Sequence, residues 1–474
     1  MTLQTPPRPS SPIPQSARGK IDQIDWLNVL PFLRIFGAVP AGFRPSRVAL
    51  AFVLLLSVVA AGRVWDGFAP ATASPDGLFA GPIREKQLVD AHNSVRAVLM
   101  PELLPEQREK AHTASLDDLE ILLANALELK SQDASVAARY SSLMRMIDAA
   151  RPRSSFEALS EAVRTSFYAL IGSVGRADIA SAIGAAQTLC AGVVIESWAT
   201  APAFTIYFAL VCIVVFGWGG GVLARMSAGD LSHRAWTIEQ ANQFIRPRIS
   251  SLICAPMFAC ALVIVLWIPA FLIGLLVNVP ALDVVAGGLF GIALATSALS
   301  VIVAVVLAVG MPLLAPAVAC DGCDAVEAVQ RAGAYLFARP LHVLCYAFLS
   351  LVTIALAAIA ADFLATGAWS FAVHAYVSAS GDPAMNAVAA LRFLEPYQQA
   401  PLPMLDATQS ATASFIDMWR TVLCLLIGAA IVSVAFSCAT RAYLLARSAS
   451  DGQDVCDLWE DGITIEIPPA STTP

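Results

Sequence analysis

Charge is scarce in this chain of 474 residues: Asp, Glu, Lys and Arg make up 14%, against 57% hydrophobic residues and a mean hydropathy of +0.68. A soluble domain carries about 25% charged residues, so this composition excludes an ordinary soluble protein and predicts an integral membrane protein whose surroundings are the lipid bilayer. A basic balance is also missing. With 29 basic against 36 acidic residues and no block of five like charges, a nucleic-acid partner is excluded.

Signatures of catalysis and metal binding are missing as well. The histidines at 92, 112, 233, 342 and 374 form neither HExxH nor an i,i+4 pair, and no GxSxG, P-loop or paired metal carboxylates occur. An enzyme is therefore not expected, nor any cofactor. Cys320 and Cys323 have metal-ligand spacing, but a structural zinc site needs four ligands and no second CxxC or His pair is near, so packing or turn chemistry is the expected role. Cys212, Cys254, Cys260, Cys345, Cys424 and Cys438 sit in apolar runs, where cysteine behaves as a small hydrophobe. That leaves Cys190 alone on the outer side, and no disulfide framework is expected.

What is present is a set of long uncharged runs. A helix needs about 20 apolar residues to cross a core about 30 Å thick, and the charge-free runs are 48 to 62, 197 to 224, 249 to 282, 284 to 320, 340 to 361 and 421 to 440. The expected fold is therefore an all-α, polytopic helical membrane protein of about six transmembrane helices with an extracytoplasmic helical domain. The first run spans only if Arg47 and Arg63 snorkel outward. The run 284 to 320 is too long for one crossing, and Gly310, Pro312 and Pro316 predict an irregular end there. The uncharged but Ala- and Gly-rich run 179 to 195 leaves a seventh, re-entrant or interfacial helix open.

Orientation follows from retention of Lys and Arg near spans on the cytoplasmic side. Arg8, Arg18, Lys20, Arg34, Arg44, Arg47, Arg225, Arg234, Arg246, Arg248, Arg331, Arg339, Arg441 and Arg447 then fall inside, while loop 362 to 420 offers only Arg392 and Arg420. The expected location is the cell membrane, multi-pass, with both termini cytoplasmic. The units are a tail and interfacial helix over 1–46, a first span over 47–63, the extracytoplasmic domain over 64–200, a five-helix membrane domain over 201–447 and a disordered tail over 448–474. Between Arg63 and Glu196 there are 30 charged residues in 134, a near-soluble density. Stripes at helical spacing (Leu88 to Leu99, Leu116 to Leu127, Phe156 to Leu170) predict a small helical bundle there. Aromatic residues in it are few and gather near the membrane junctions, so its apolar faces should pack on the membrane domain or on another chain.

Two connections between spans share a pattern. Thr237 and Gln240 form a capping box ahead of an amphipathic stretch ending at Arg246-Pro247, and a second stretch from Ala325 ends at Arg339-Pro340. The Arg-Pro pairs are 93 residues apart, as are Gly217 and Gly310, which suggests a repeated span-helix-span hairpin. Within the second stretch Arg331 is placed to pair with Glu327 at i,i+4, with the Tyr335 ring at the membrane boundary. Gly217 with Gly221, and Gly287 with Gly291, each match GxxxG, which lets helices approach closely in lipid; internal packing is expected at both.

The words Gly219-Gly220-Gly221-Val222-Leu223-Ala224-Arg225 and Asp321-Gly322-Cys323-Asp324-Ala325, followed by Arg331, Tyr335 and Arg339-Pro340, resemble a family of uncharacterised bacterial multi-spanning membrane proteins. The stretch Phe32 to Arg47 looks similar too. A more remote similarity is to the membrane-anchor domains that precede glycerophosphodiesterase catalytic domains, although no such catalytic domain is present. The resemblance implies a topology and no activity. From the residues, the leading expectation is a non-enzymatic envelope or interaction/scaffold protein, with a protein partner or self-association through the extracytoplasmic domain. The alternative is a transporter or permease-like component for a neutral or lipid-like substrate, disfavoured because ionisable residues mark membrane pathways and the six runs contain none.

Overall fold

The computed structural model describes residues 30–74, 77–81, 151–278, 282–380 and 407–460, with isolated positions between 93 and 122. The helical stripes proposed for 88 to 127, Trp26 and Leu27, Arg392, and residues 1–29 and 461–474 of the two tails lie largely or wholly outside the described residues, whereas 448–460, expected as part of a disordered tail, is described and folded. In chain order the helices are α1 (Ala38–Gly42), α2 (Pro45–Phe68), α3 (Ser155–Gly175), α4 (Ile179–Thr200), α5 (Pro202–Leu231), α6 (Ile238–Ile245), α7 (Ile249–Leu276), α8 (Leu282–Asp321), α9 (Ala325–Ala338), α10 (Pro340–Ser380) and α11 (Ala407–Asp451). The described residues form no strand, only one antiparallel bridge between Ala73 and Arg153. The all-α polytopic membrane architecture is thus present.

Among the described residues seven helices are long and apolar enough to cross a membrane, one more than the count of charge-free runs. The additional one is α4, and its ends show how it is used. Arg47 in the first turn of α2 meets Asp230 in the last turn of α5, and the Tyr207 hydroxyl donates to the Ala61 carbonyl at the opposite end, so α2 and α5 run antiparallel. At that opposite end Asp66 accepts from Ser154 and from the Phe156 amide, which pins the first turn of α3. The last turns of α3 place Phe167, Tyr168, Ile171 and Val174 on Ala355 and Ala358 of α10 and Ile431 of α11, near the middle of those helices.

A tight turn then reverses the chain. Ala177 takes a left-handed φ of 56°, and Asp178 caps α4 by accepting from the Ser181 amide at 3.1 Å. From there α4 returns to the start of α5, where Ser197 bonds Thr205 at 2.8 Å and Phe204 stacks on Phe208. The α3–α4 pair therefore enters and leaves at one end, and six helices traverse the bundle. At the other end Arg441 donates to the Arg34 carbonyl and Arg234 pairs with Glu460, so segments 30–47 and 441–460 share it. This is the arginine-rich end.

Three consecutive glycines let α5 sit at the centre. A Cβ on Gly219 would lie 2.3 Å from the Leu54 side chain of α2, one on Gly220 2.4 Å from the Phe436 ring of α11, and one on Gly221 2.6 Å from Leu252 of α7. Successive residues point 100° apart on a helix, so one short run admits three neighbours. Apolar solvent gives no drive for helices to associate in lipid, and close packing of small residues supplies the contact.

The expected irregular end at 310 to 320 is corrected: α8 is continuous for 40 residues with Pro312 and Pro316 inside it. Neighbouring helices compensate for the missing donors in such settings, and Leu313, Leu314 and every residue from Pro316 to Cys320 are buried among them. The surplus length carries α8 into the polar assembly around Asp321. The first segment packs on the bundle. A 3-10 turn, Pro31–Ile35, and α1 are wedged against α11, where Ser433 donates to the Gly42 carbonyl at 2.8 Å.

α7 and α8 form a hairpin. Between Leu282 and Leu307 the buried residues of α8 are Ala286, Ala293, Ser300 and Leu307, a seven-residue spacing that makes a narrow seam, and Ser300 donates to the Val263 carbonyl of α7. The remaining faces of both helices in these halves, away from the arginine-rich end, are exposed and apolar. The two span-helix-span units share an element order, with a capping box at Thr237 and an Asp324 cap at the second. However, α9 has 14 residues and α6 has 8.

Overpacking a filled interior costs about 1–3 kcal/mol, so Gly219→Val is expected to lower the thermal midpoint of the full-length protein in detergent, and Gly220→Val likewise. Gly288→Ala, where a Cβ meets nothing within 4 Å, should leave it unchanged.

Candidate functional site

The densest polar cluster lies at the arginine-rich end. Gly322, with φ +69°, turns the chain out of α8, and Asp324 caps α9 by accepting from the Glu327 amide at 2.8 Å. That fixes the phase of α9, so Arg331, two turns on, reaches back to Asp321. The Asp321 carboxylate accepts from Arg331 at 2.6 Å, from the Tyr443 hydroxyl at 2.5 Å and from Arg447 at 2.5 Å. The side chains of Asp321 and Arg447 are 8% and 3% exposed, so this ion pair is screened little by water. A buried charge is tolerated only when paired and hydrogen-bonded; here one carboxylate satisfies groups from three directions.

Beside it the Tyr335 hydroxyl donates to Asp451 at 2.7 Å, and its ring lies 5.8 Å from that of Tyr443. Burial, with the Asp451 hydrogen bond adding to it, pushes the Tyr335 hydroxyl well above its ordinary range. Chain 452–460 then folds back over the cluster. Arg447 donates to the Asp454 carbonyl at 2.9 Å and to that of Asp457, while the Trp459 amide donates to the Cys320 carbonyl at 2.8 Å. Arg225 donates to the carbonyls of Ala319 at 3.0 Å and Trp459 at 2.8 Å, and lies 4.0 Å from the Trp236 ring centroid and 3.8 Å from that of Phe244. Arg248 packs near the same Phe244 ring at 4.0 Å. These cation-aromatic contacts couple α5, α6 and the strap.

The residues singled out from sequence have different fates. Arg331 pairs with Glu327 at 2.7 Å. Tyr335 is not at a lipid boundary: it is buried, because its ring packs beside Tyr443 and its hydroxyl reaches Asp451. Arg339 follows α9 as an exposed C-terminal residue. Gly217 and Gly221 face α7 at Leu252. The internal packing expected at Gly287 and Gly291 is absent, since a Cβ at either meets nothing within 4 Å; the outer half of α8 buries a different face, through Ala286 and Ala293.

Sequence reasoning did not single out Asp321, Arg447, Tyr443 and Arg225 as one network. Their signal was an ionisable residue directly after an apolar run in a helix long enough to carry it beyond the lipid. Cys320 and Cys323 are both buried, and all ten cysteines are free. Burial pushes the Cys323 thiol up to about 12. No group of three His, Cys, Asp or Glu suited to a metal occurs among the described residues.

No family model matches the chain, and neither a curated protein nor a solved structure does. Fold and site define a polytopic α-helical membrane protein with a locked polar network at its arginine-rich end.

Asp321→Asn would strand Arg447, and breaking a buried pair costs about 3–5 kcal/mol. Thermal unfolding and membrane abundance should both fall sharply. Glu327→Ala removes only an i,i+4 pair at a half-exposed site, worth about 0.3–0.5 kcal/mol, and abundance should stay near normal. At pH 8 a thiol titrating near 12 is ionised to about one part in ten thousand. Cys323 is therefore expected to label with maleimide only after denaturation, as followed by mass spectrometry.

Proposed function

We propose that the protein is a non-enzymatic interaction or scaffold component of the cell membrane, with both termini cytoplasmic and its partner engaged on the outer side. The observation that carries this reading is how the described part of the outer segment is built. α3 forms its core with the membrane helices: Phe156 packs beside Phe208, Leu159 and Ala162 join the cluster around Phe204, and Ile171 rests on Ala355 and Ala358. α4 buries little, leaving Ile179, Ile183, Val194, Ile195 and Trp198 exposed. A helix with an apolar surface needs something to cover it, and here lipid or another chain must do so.

The orientation rests on the arginines gathered at one end, which positive charge retention assigns to the cytoplasm. Support for a non-enzymatic role comes from the use of the charged groups. In the Asp321 cluster they bond one another and backbone carbonyls. A permease for a neutral or lipid-like substrate would need hydroxyls lining a groove. The hydroxyls of Thr296, Ser300, Thr353 and Ser433 donate instead to backbone carbonyls.

Two measurements test this. Reporters fused at Ser131 and at Pro474 should fall on opposite sides of the membrane, and finding both on one side would sink the topology. A photoreactive residue at Ile183 or Trp198, activated in native membranes, should give a discrete protein adduct. Adducts to lipid alone, with flux of a neutral solute through proteoliposomes holding the purified chain, would replace this reading with the permease.

A further inference from the structure

A second cluster of arginines lies apart from Asp321, where the chain enters its first span. Arg44, Arg47 and Arg441 surround one carboxylate, Asp230. Arg44 pairs with its Oδ1 at 2.5 Å and Arg47 with its Oδ2 at 2.8 Å. Arg47 also donates to the carbonyls of Ala41 at 2.9 Å and Met226 at 2.5 Å. Arg441 donates to the Arg34 carbonyl at 2.7 Å, and among the described residues it has no carboxylate partner. The Nε atoms of Arg47 and Arg441 are buried without an acceptor, although the two residues are only 2% and 8% exposed. Three guanidinium charges thus face one carboxylate, and two carry unused donors.

The surroundings suit an anion. Gly37 passes over Arg441, where a Cβ would come within 2.7 Å of its Nη1, so no side chain can grow from that position over the guanidinium. Arg44 is half exposed and opens the cluster outward. Phe36, close in sequence, is exposed, and Arg44 and Arg47 lie at the start of a helix long and apolar enough to span. A guanidinium offers a planar fork of donors matched to phosphate oxygens.

We propose that Arg44, Arg47 and Arg441 bind a phosphate-bearing anion at the arginine-rich end, supplied by the headgroup of an anionic phospholipid. The proposal depends on the membrane architecture and not on the interaction role proposed above. A headgroup phosphate would complete the charge balance that Asp230 only begins. Its acyl chains would lie along the apolar surface beside Phe36.

The test uses the full-length protein purified in a neutral detergent, with thermal unfolding read against added lipid. Phosphatidylglycerol is expected to raise the midpoint by several degrees, since a ligand that binds only the folded state stabilises it by mass action, while phosphatidylcholine does not. Arg44→Gln should abolish most of the lipid-dependent rise, and Arg339→Gln, an exposed arginine at the same end, should retain it. Because Arg441→Gln risks misfolding, Arg441→Lys serves as the buried variant and should shrink the rise while keeping the fold. An equal rise with inorganic phosphate at the same concentration would keep the anion site and name free phosphate as its source. An equal rise with phosphatidylcholine, or a phosphatidylglycerol effect untouched by Arg44→Gln, would overturn the proposal.

Discussion

The Asp321 carboxylate is the constraint on which the arginine-rich end depends. It accepts from Arg331 on α9, Tyr443 and Arg447 on α11 and ends α8 itself, so three helices are fixed by one charge. Desolvating such a group is expensive, and in the interior the Coulomb gain offsets it only with good geometry and full hydrogen bonding. That condition explains why so many backbone carbonyls crowd the site. Arg447 and Arg225 each need acceptors beyond the single carboxylate, and the folded-back segment 452–460 supplies them.

Lipid packing and polar locking divide the molecule between them. Through the membrane, α5 makes close contact with its neighbours by lacking side chains at Gly219, Gly220 and Gly221. Past the lipid the same helix carries Arg225 and Asp230 into the polar assembly. Toward the other end the packing thins: α7 has no buried residue from Cys260 onward, and α8 holds it through a seam one residue wide per two turns.

Much of this was legible beforehand. The six traversing helices follow from charge-free runs, because an uncompensated charge cannot stay in hydrocarbon, and the capping box at Thr237 and Gln240 is present as read. Three features were not legible, each for a physical reason. Pro312 and Pro316 carry a local signal for a break, but the packing of Leu313, Leu314 and the residues from Pro316 to Cys320 overrode it. For α4 composition left a span, a re-entrant and an interfacial helix open, and only the bonds at the ends of the α3–α4 pair show that it returns. The GxxxG at Gly287 and Gly291 has the same pattern as that at Gly217 and Gly221; spacing reports which face is small, not whether a neighbour comes to it. Buried ion pairs were hidden most deeply, since Asp321, Tyr443 and Arg447 are separated by 122 and 126 residues.

The strap over the arginine-rich end has a consequence for biosynthesis. Arg225 leaves the ribosome more than two hundred residues before Trp459, whose carbonyl it needs. Until that segment is made, the arginine-rich end holds a buried cation without its final acceptor. Closure of that end waits for the chain around Trp459, so insertion of the earlier helices and completion of the polar assembly are separate events, with an open form between them.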